Sequence, residues 1–443
     1  MTNILIAGGG IGGLAAALGV AGRGHQVTVL ERRDTFAELG AGIQLGPNAF
    51  HALDLLGVGP LVRERAVYID ELRLMDGTTS ERVATMEVTG DYRTRFGNPY
   101  AVVQRSDVYE PLLEECRAHP LIELRGSSAV VSYENAADGS AVTAVLASGE
   151  RITGPALIGA DGIRSAVRRQ LVGDGDPRVS GHTIYRSVIP MELVPEELRN
   201  NAVTLWAGPK WHFVHYPIGG GAFLNLAATR DDGATEVVVG KPAGRGHVLD
   251  EFPELGETAR RLLELGQDWK AWVLCDRDPV DGWTDGRVAL LGDAAHPMLQ
   301  YAAQGACQAL EDAVVIADAL DCEAGDVVRR LETYNAERRE RTARVQVVAR
   351  EIGRQLYHPA CTAARERNTM LAGMSAEDMY EAVAWLHGAK LSGVEGGGAL
   401  RVPEVAPPGR RPHGGAGSRQ ASATHGPLLR GSKAHQKAAP STV

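Results

Sequence analysis

The run Gly8-Gly9-Gly10-Ile11-Gly12-Gly13 constrains this chain more than any other feature. It follows an apolar stretch at residues 3–7 that reads as a strand, and it opens a small-residue helix over 14–23. A second strand, 26–31, follows with β-branched residues and ends in Glu31. Strand, helix and strand in this order imply a parallel sheet. Gly8 permits the tight turn, Gly10 lets the backbone approach a pyrophosphate, and Gly13 lets the helix pack on the strand. The helix start, at Ile11 and Gly12, offers free N–H groups and a positive dipole end to phosphates. Glu31, with Arg32 after it, stands about 20 residues on, where an acid accepts hydrogen bonds from ribose hydroxyls. The unit reads as a dinucleotide site and does not by itself separate FAD from NAD.

A chain of 443 residues is too long for one simple core. Residues 106–118 read as a helix, 120–160 as short strands around Ala137-Asp138-Gly139, and 156–160 as a buried strand ending at Asp161-Gly162. From about residue 173 the character changes. Strands at 183–190, 202–207, 211–216 and 223–229 are joined by Gly/Pro/Asn turns, the mark of an antiparallel sheet. A buried strand returns at 287–291, a helix at 306–320, and residues 326–400 are mostly helical. The expected fold class is α/β: a Rossmann-like nucleotide-binding domain with an inserted, mostly antiparallel β-sheet substrate domain and C-terminal helices. The nucleotide domain takes 1–172 and 277–340, the inserted sheet 173–276, and the C-terminal helices 341–402. Residues 403–443, rich in Pro, Gly, Ser, Ala and His, are expected to be disordered.

A net charge of −9 argues against nucleic acid or an acidic membrane as the main partner. The body is more acidic than that total, because about seven basic residues and one acid lie from Arg401 onward. The five cysteines form no CxxC or Cys/His cluster, which disfavours structural zinc and points to a reducing cytoplasm. No apolar run is long enough to span a bilayer, and the N-terminus lacks a cleavable-leader pattern.

Two further segments follow buried strands: Gly159-Ala160-Asp161-Gly162-Ile163-Arg164-Ser165-Ala166-Val167-Arg168, and Gly292-Asp293-Ala294-Ala295-His296-Pro297. With the glycine turn, they resemble in order and spacing the DG and GD motifs of the flavin-dependent aromatic hydroxylases, over roughly residues 1–350. The resemblance implies FAD as the bound cofactor. It implies that Asp293 bonds the ribityl chain, that Asp161 supports the pyrophosphate region and the NAD(P)H encounter, and that Arg105 reaches the phosphate or ribityl region. The plainer readings are turn or N-cap aspartates and a surface salt bridge. Gly305 and Ala306 open a helix whose N-terminus, aimed at the flavin, would stabilise the charge of its reduced form. The single dinucleotide fingerprint makes NADH (or NADPH) a transient cosubstrate.

In Trp211-His212-Phe213-Val214-His215-Tyr216-Pro217, strand alternation puts His212, Val214 and Tyr216 on one face and Phe213 and His215 on the other. After the GD motif comes Met298-Leu299-Gln300-Tyr301-Ala302-Ala303-Gln304. Both segments resemble most closely the 3-hydroxybenzoate 6-hydroxylases. There the histidine and glutamine contact the phenol and the tyrosine lines the pocket, which casts His212 and Gln300 as catalytic, with Tyr216, Val214 and Pro297 around the substrate. The resemblance implies oxygen transfer from O2 to the ring carbon para to the hydroxyl, giving gentisate. His212, with an ordinary pKa near ~6.5, suits the phenol proton. The strand 223–229 offers no arginine in its core for a benzoate carboxylate, and Arg230 stands at its end. Rival readings are a salicylate-type or biosynthetic phenol hydroxylase, and a non-hydroxylating flavin reductase or FAD-binding redox module. The helices after residue 326 are candidates for a homodimer interface.

Overall fold

The computed structural model describes residues 3–37, 41–389 and 391. The expected disorder of 403–443 lies outside the described residues.

A six-stranded sheet runs Thr284–Asp285, Val288–Leu290, Leu157–Gly159, Asn3–Ala7, Gln26–Leu30, Ile122–Arg125. All its neighbours are parallel except the edge pair Thr284–Asp285 and Val288–Leu290. Its central strands are buried on both faces, so Leu5, Ile6, Val27, Val29, Leu157 and Ile158 read as continuous apolar runs. The helix Ile11–Ala21 and the helix Gly305–Leu320 pack closely, because both carry small residues where they meet. A Cβ at Gly19 would lie 2.8 Å from the Ala317 Cβ. A three-stranded meander, 130–154, and a small sheet of Gly42–Leu45, Ala101–Gln104 and Val67–Tyr68 complete this half.

The second large sheet has eight strands, in the order Lys241–Pro242, Lys270–Asp276, Arg178–Pro190, Phe223–Asp231, Trp211–Ile218, Ala202–Gly208, Glu71–Asp76, Arg82–Glu87. Every pair is antiparallel except Ala202–Gly208 with Glu71–Asp76. The sheet therefore takes in residues 71–87 as well as strands of the 173–276 segment. One face is filled by Trp206, Trp211, Phe213, Leu226 and the helices Arg245–Asp250 and Glu257–Glu264, which with Phe252 between them bring Val248, Leu262 and Leu263 into the same core. The opposite face carries His212, Val214 and Tyr216 and belongs to the site.

The long helix Val327–Glu351 passes into a π-helical turn, Ile352–Tyr357. Such turns widen the helix and turn side chains out of register. Here the turn delivers Tyr357 and His358 onto the sheet face. Gly353 makes this approach feasible, since a Cβ there would lie 2.6 Å from the Tyr301 ring. The short helices Cys361–Ala372 and Ala376–His387 follow.

Candidate active site

Gly8 adopts φ +108°, and a Cβ on it would lie 2.4 Å from the Ala160 carbonyl oxygen. A Cβ at Gly13 would lie 2.0 Å from the Gly8 carbonyl oxygen. Neither position tolerates a side chain. Gly10 differs: its backbone is ordinary, at φ −81°, and a Cβ would meet nothing within 4 Å. The turn is thus closed against the protein at Gly8 and Gly13 and open at Gly10. There the unpaired N–H groups of the buried Ile11 and its neighbours begin the helix. Gly12 packs inward, its Cβ position lying 2.7 Å from Leu291. Glu31 accepts from the Gly9 N–H at 2.7 Å and the Arg33 N–H at 3.0 Å, so it reaches back into the turn. Arg32 is exposed beside it.

Asp161 is committed to its own turn. Its carboxylate accepts from the Ser165 hydroxyl, from the Ala166 N–H at 2.8 Å and from the Val167 N–H at 3.3 Å. It thereby holds the first turn of the helix Ala166–Leu171. Burial pushes its pKa up against those hydrogen bonds. Arg168, on the same helix and fully buried, donates to the Ala294 oxygen at 2.9 Å and the Ala295 oxygen at 2.5 Å. It locks the 159–168 segment to the 292–297 segment. Its partners are 126 and 127 residues away, so the local motif does not show this role.

Asp293 is exposed and makes no hydrogen bond among the described residues. It stands beside the start of the helix Gly305–Leu320, with its Oδ1 3.9 Å from where a Gly305 Cβ would be. Ala306 belongs to the same first turn, whose N–H groups lack helical partners. Behind the segment lies a buried polar network. Asp312 accepts from the Gly292 N–H at 2.9 Å, pairs with His296 at 2.5 Å and accepts from Arg338 at 2.7 Å. Arg338 and Arg341 both bond Glu311, which they hold down to a pKa of about 2. This network fixes the helix whose N-terminus faces outward.

Register places the other half of the site. His212, Val214 and Tyr216 lie opposite Thr229, Ala227 and Asn225, which lie opposite Ile184, Arg186 and Val188. Directly paired antiparallel residues share a face, so all nine address one side of the sheet. His215 faces the other way and stacks on Trp206. Pro297 lies buried on the approach to the loop, its carbonyl accepting from Gln346 at 3.0 Å. The loop then crosses the sheet face. Gln300 Oε1 accepts from Arg186 at 2.6 Å, and its Nε2 reaches the Thr229 hydroxyl at 3.4 Å. A guanidinium only donates, so the amide orientation is fixed: oxygen toward Arg186, NH2 toward the residue opposite His212.

His212 is 2 % exposed, and its Nδ1 lies 2.8 Å from the His358 Nε2. The rings of Tyr301, Tyr357 and His358 pack around it at centroid distances of 5.2, 5.0 and 5.1 Å. His182 joins through the Tyr301 hydroxyl. Burial and the neighbouring histidines push His212 well below the usual histidine range, and His358 down to about 3. Burial raises Tyr216 to about 12 despite the nearby Arg186. Arg105 opens its helix with its N–H on the Ala41 oxygen at 2.8 Å, and lies close enough to Arg186 to lower that guanidinium's pKa, after burial. No local pattern around His182, Arg186, Tyr357 or His358 points to this site. Their convergence comes from sheet pairing and from the π-helical turn.

The open Gly10 turn, the exposed Asp293 and the free first turn at Gly305 fit a long dinucleotide. They suit a pyrophosphate, a polyol chain and an electron-rich ring that gains charge on reduction. The ring would then lie against the loop that crosses the sheet. Such a site, on a parallel nucleotide-binding sheet joined to a large antiparallel one, defines an FAD monooxygenase: the chain belongs to the flavin-dependent aromatic hydroxylases. The family model described as "FAD binding domain" matches residues 1–199 and 257–349. The chain is 50% identical over 386 residues to "3-hydroxybenzoate 6-hydroxylase 1" of Aquipseudomonas alcaligenes, covering 87% of this chain and 97% of that one. It is 44% identical over 385 residues to "3-hydroxybenzoate 6-hydroxylase" of Polaromonas naphthalenivorans (strain CJ2), covering 87% and 95%. Among solved structures, a salicylate hydroxylase substrate complex superposes with a TM-score of 0.75 at 26% identity, covering 87% and 95%. FAD is accordingly the cofactor, and the expected fold class stands. Among the described residues no helix is long and apolar enough to cross a membrane.

Proposed function

We propose that this enzyme consumes NADH, or NADPH, and O2 to place one oxygen atom para to the hydroxyl of 3-hydroxybenzoate, releasing gentisate and water. The observation that carries this reading is the Gln300 amide reaching Thr229, the residue paired with His212 on the same sheet face, in a chain half identical to a 3-hydroxybenzoate 6-hydroxylase. When bound, FAD supplies hydride acceptance from the nicotinamide and activation of O2.

The chain's own residues would do the rest. His212 donates its Nδ1–H to His358 and keeps Nε2 free to accept the phenol proton. The opposite tautomer would put a proton on Nε2 and block that role. Its lowered pKa keeps it neutral at working pH, so it accepts the proton only as negative charge moves from the phenol oxygen into the ring. The Gln300 NH2 donates to the same oxygen. Tyr216 and Val214 line the pocket, and Tyr301 and Tyr357 exclude water. Asp293, Gly10 and the Gly305–Ala306 turn would hold FAD, with Glu31 and Arg32 at the adenosine end and Arg105 toward the ribityl chain. Asp161 acts through the turn that it caps.

We place the enzyme in the cytoplasm, where its five free cysteines remain reduced. The deciding experiment incubates FAD-loaded enzyme with 3-hydroxybenzoate, NADH and isotopically labelled O2. Gentisate bearing one labelled atom, formed in step with NADH oxidation, is the expected result. A different diol, or NADH oxidation without labelled product, overturns the reading.

A further inference from the structure

Among the described residues Arg186 has no counter-ion. Its strand pairs with Phe223–Asp231, and it lies opposite Ala227, itself opposite Val214. The guanidinium therefore rises from the same face as His212, two strands away and two residues along. From strand spacings the two Cα atoms are roughly 12 Å apart, which long side chains close from both sides. One Nη2 bond to Gln300 uses one of five N–H donors. Nε is enclosed and has no hydrogen-bond partner among the described residues, and no carboxylate of those residues pairs with this arginine. The residue is half-buried, and desolvation of its guanidinium lowers its pKa. Leaving such donors unmade costs more than forming them gains.

Other cations near the sheet are committed elsewhere. Arg230 belongs to the opposite face, donating to the Glu251 oxygen and lying 3.6 Å from Glu254. Lys270, opposite Arg186 on the edge side, is exposed. Arg186 also borders a cavity of about 570 Å³ lined by Arg164, Arg169 and Trp272, which makes a dinucleotide phosphate the rival occupant.

We propose that Arg186 is the anchor for the substrate carboxylate, binding it through its remaining Nη donors while Gln300 holds the phenol oxygen. The inference rests on the hydroxybenzoate reading above. It accounts for the meta relation. Gln300 is shared: its carbonyl faces Arg186, and its NH2 faces the His212 row. A ring with carboxylate and hydroxyl in meta positions bridges the two ends of that amide. A fork-shaped donor pair is the geometry that a carboxylate takes up.

The test uses FAD-loaded wild type, Arg186→Met and Arg186→Lys, with binding read from the perturbation of the flavin spectrum. For 3-hydroxybenzoate the dissociation constant should rise about 10- to 100-fold in Arg186→Met, the size of one charged hydrogen-bonded contact, and by less in Arg186→Lys. For the neutral 3-hydroxybenzamide it should change by less than about threefold, and the KM for NADH should hold. Equal weakening of acid and amide would mean that Arg186 acts only on Gln300, and overturns the proposal. So does a loss confined to NADH, or a wild type that binds acid and amide alike. The contrast is read on whichever phenol the wild type hydroxylates. A wrong substrate then appears as a different wild-type product, and a wrong anchor as a missing contrast.

Discussion

His212 and His358 meet edge to edge, Nδ1 to Nε2, at 2.8 Å, from a central strand and from the end of a π-helical turn. Between two neutral imidazoles, one hydrogen bond needs one proton. Which ring carries it decides whether the free nitrogen of His212 is a base or an acid. The partner from the far end of the chain thus sets the chemistry of the residue on the sheet.

His358→Ala should leave FAD bound and reducible and reduce coupled hydroxylation roughly tenfold, because His212 then selects its tautomer unaided. His212→Ala should lose at least about tenfold, with NADH oxidation diverted to H2O2. Because burial depresses the His212 pKa, the acid limb of the wild-type pH–rate profile should lie below ~6.5, the free-histidine value. Full coupling in the His212 variant, or an acid limb at or above ~6.5, would contradict this assignment.

Gly10→Val separates folding from cofactor binding. A Cβ at Gly10 meets no protein atom within 4 Å, and its backbone is ordinary. The variant should therefore fold and melt close to wild type while FAD affinity falls at least about tenfold, since the branch fills the space for a pyrophosphate. Gly13→Val should fail earlier, at the Gly8 oxygen. Fluorescence titration of the apoprotein with FAD, beside thermal melts, checks both. Unchanged FAD affinity at Gly10→Val would remove the pyrophosphate from this turn.

Parts of this arrangement were legible in the sequence because they are local. Alternation alone placed His212, Val214 and Tyr216 together, and the glycine spacing told Gly8 and Gly13 from Gly10. Non-local pairing was not legible. Glu71–Asp76 joins the large sheet beside Ala202–Gly208, more than a hundred residues away, and nothing in its own pattern names that partner. Arg186 reads as one more polar residue in an alternating strand until the loop bearing Gln300 lies over it. His182 depends on a bulge: Val179 pairs with Cys275 and Thr183 with Val273, so three residues, 180–182, face the single Leu274. Asp161 shows the converse. Its motif was visible, yet its carboxylate is taken by the helix that follows.

Stability should fall with acid below neutrality. Burial holds His215, His358 and His387 at a pKa of about 3 in the folded protein. Unfolded, each titrates near ~6.5. Between those values the unfolded chain binds more protons, so stability rises with pH there and is progressively lost from about pH 6.5 downward toward 3. Glu311, held to about 2, adds loss of the same sign below the ordinary carboxylate value of ~4.3. Asp161, shifted up, opposes it in sign. Calorimetry should give a clearly lower Tm at pH 5 than at pH 8; a flat Tm across that range would refute the burial of these rings.

Arg338→Leu should be among the most damaging single changes outside the site. The guanidinium is fully buried and bonds Asp312 at 2.7 Å, Glu311 at 2.6 Å and the Gln308 side chain at 2.8 Å. Removing it leaves Asp312 with His296 and the Gly292 N–H, and Glu311 with Arg341, Asn48 and Gln308. Breaking one partner out of a buried charge network costs about 3–5 kcal/mol, more than the network contributes over an apolar substitute. The same two carboxylates seat the helix that begins at Gly305. The loss should therefore reach the cofactor: FAD should dissociate at lower denaturant than that which unfolds the parallel sheet. Denaturant titration followed by flavin fluorescence and by far-UV circular dichroism separates the two events. Coincident transitions with wild-type midpoints would show that the network is dispensable.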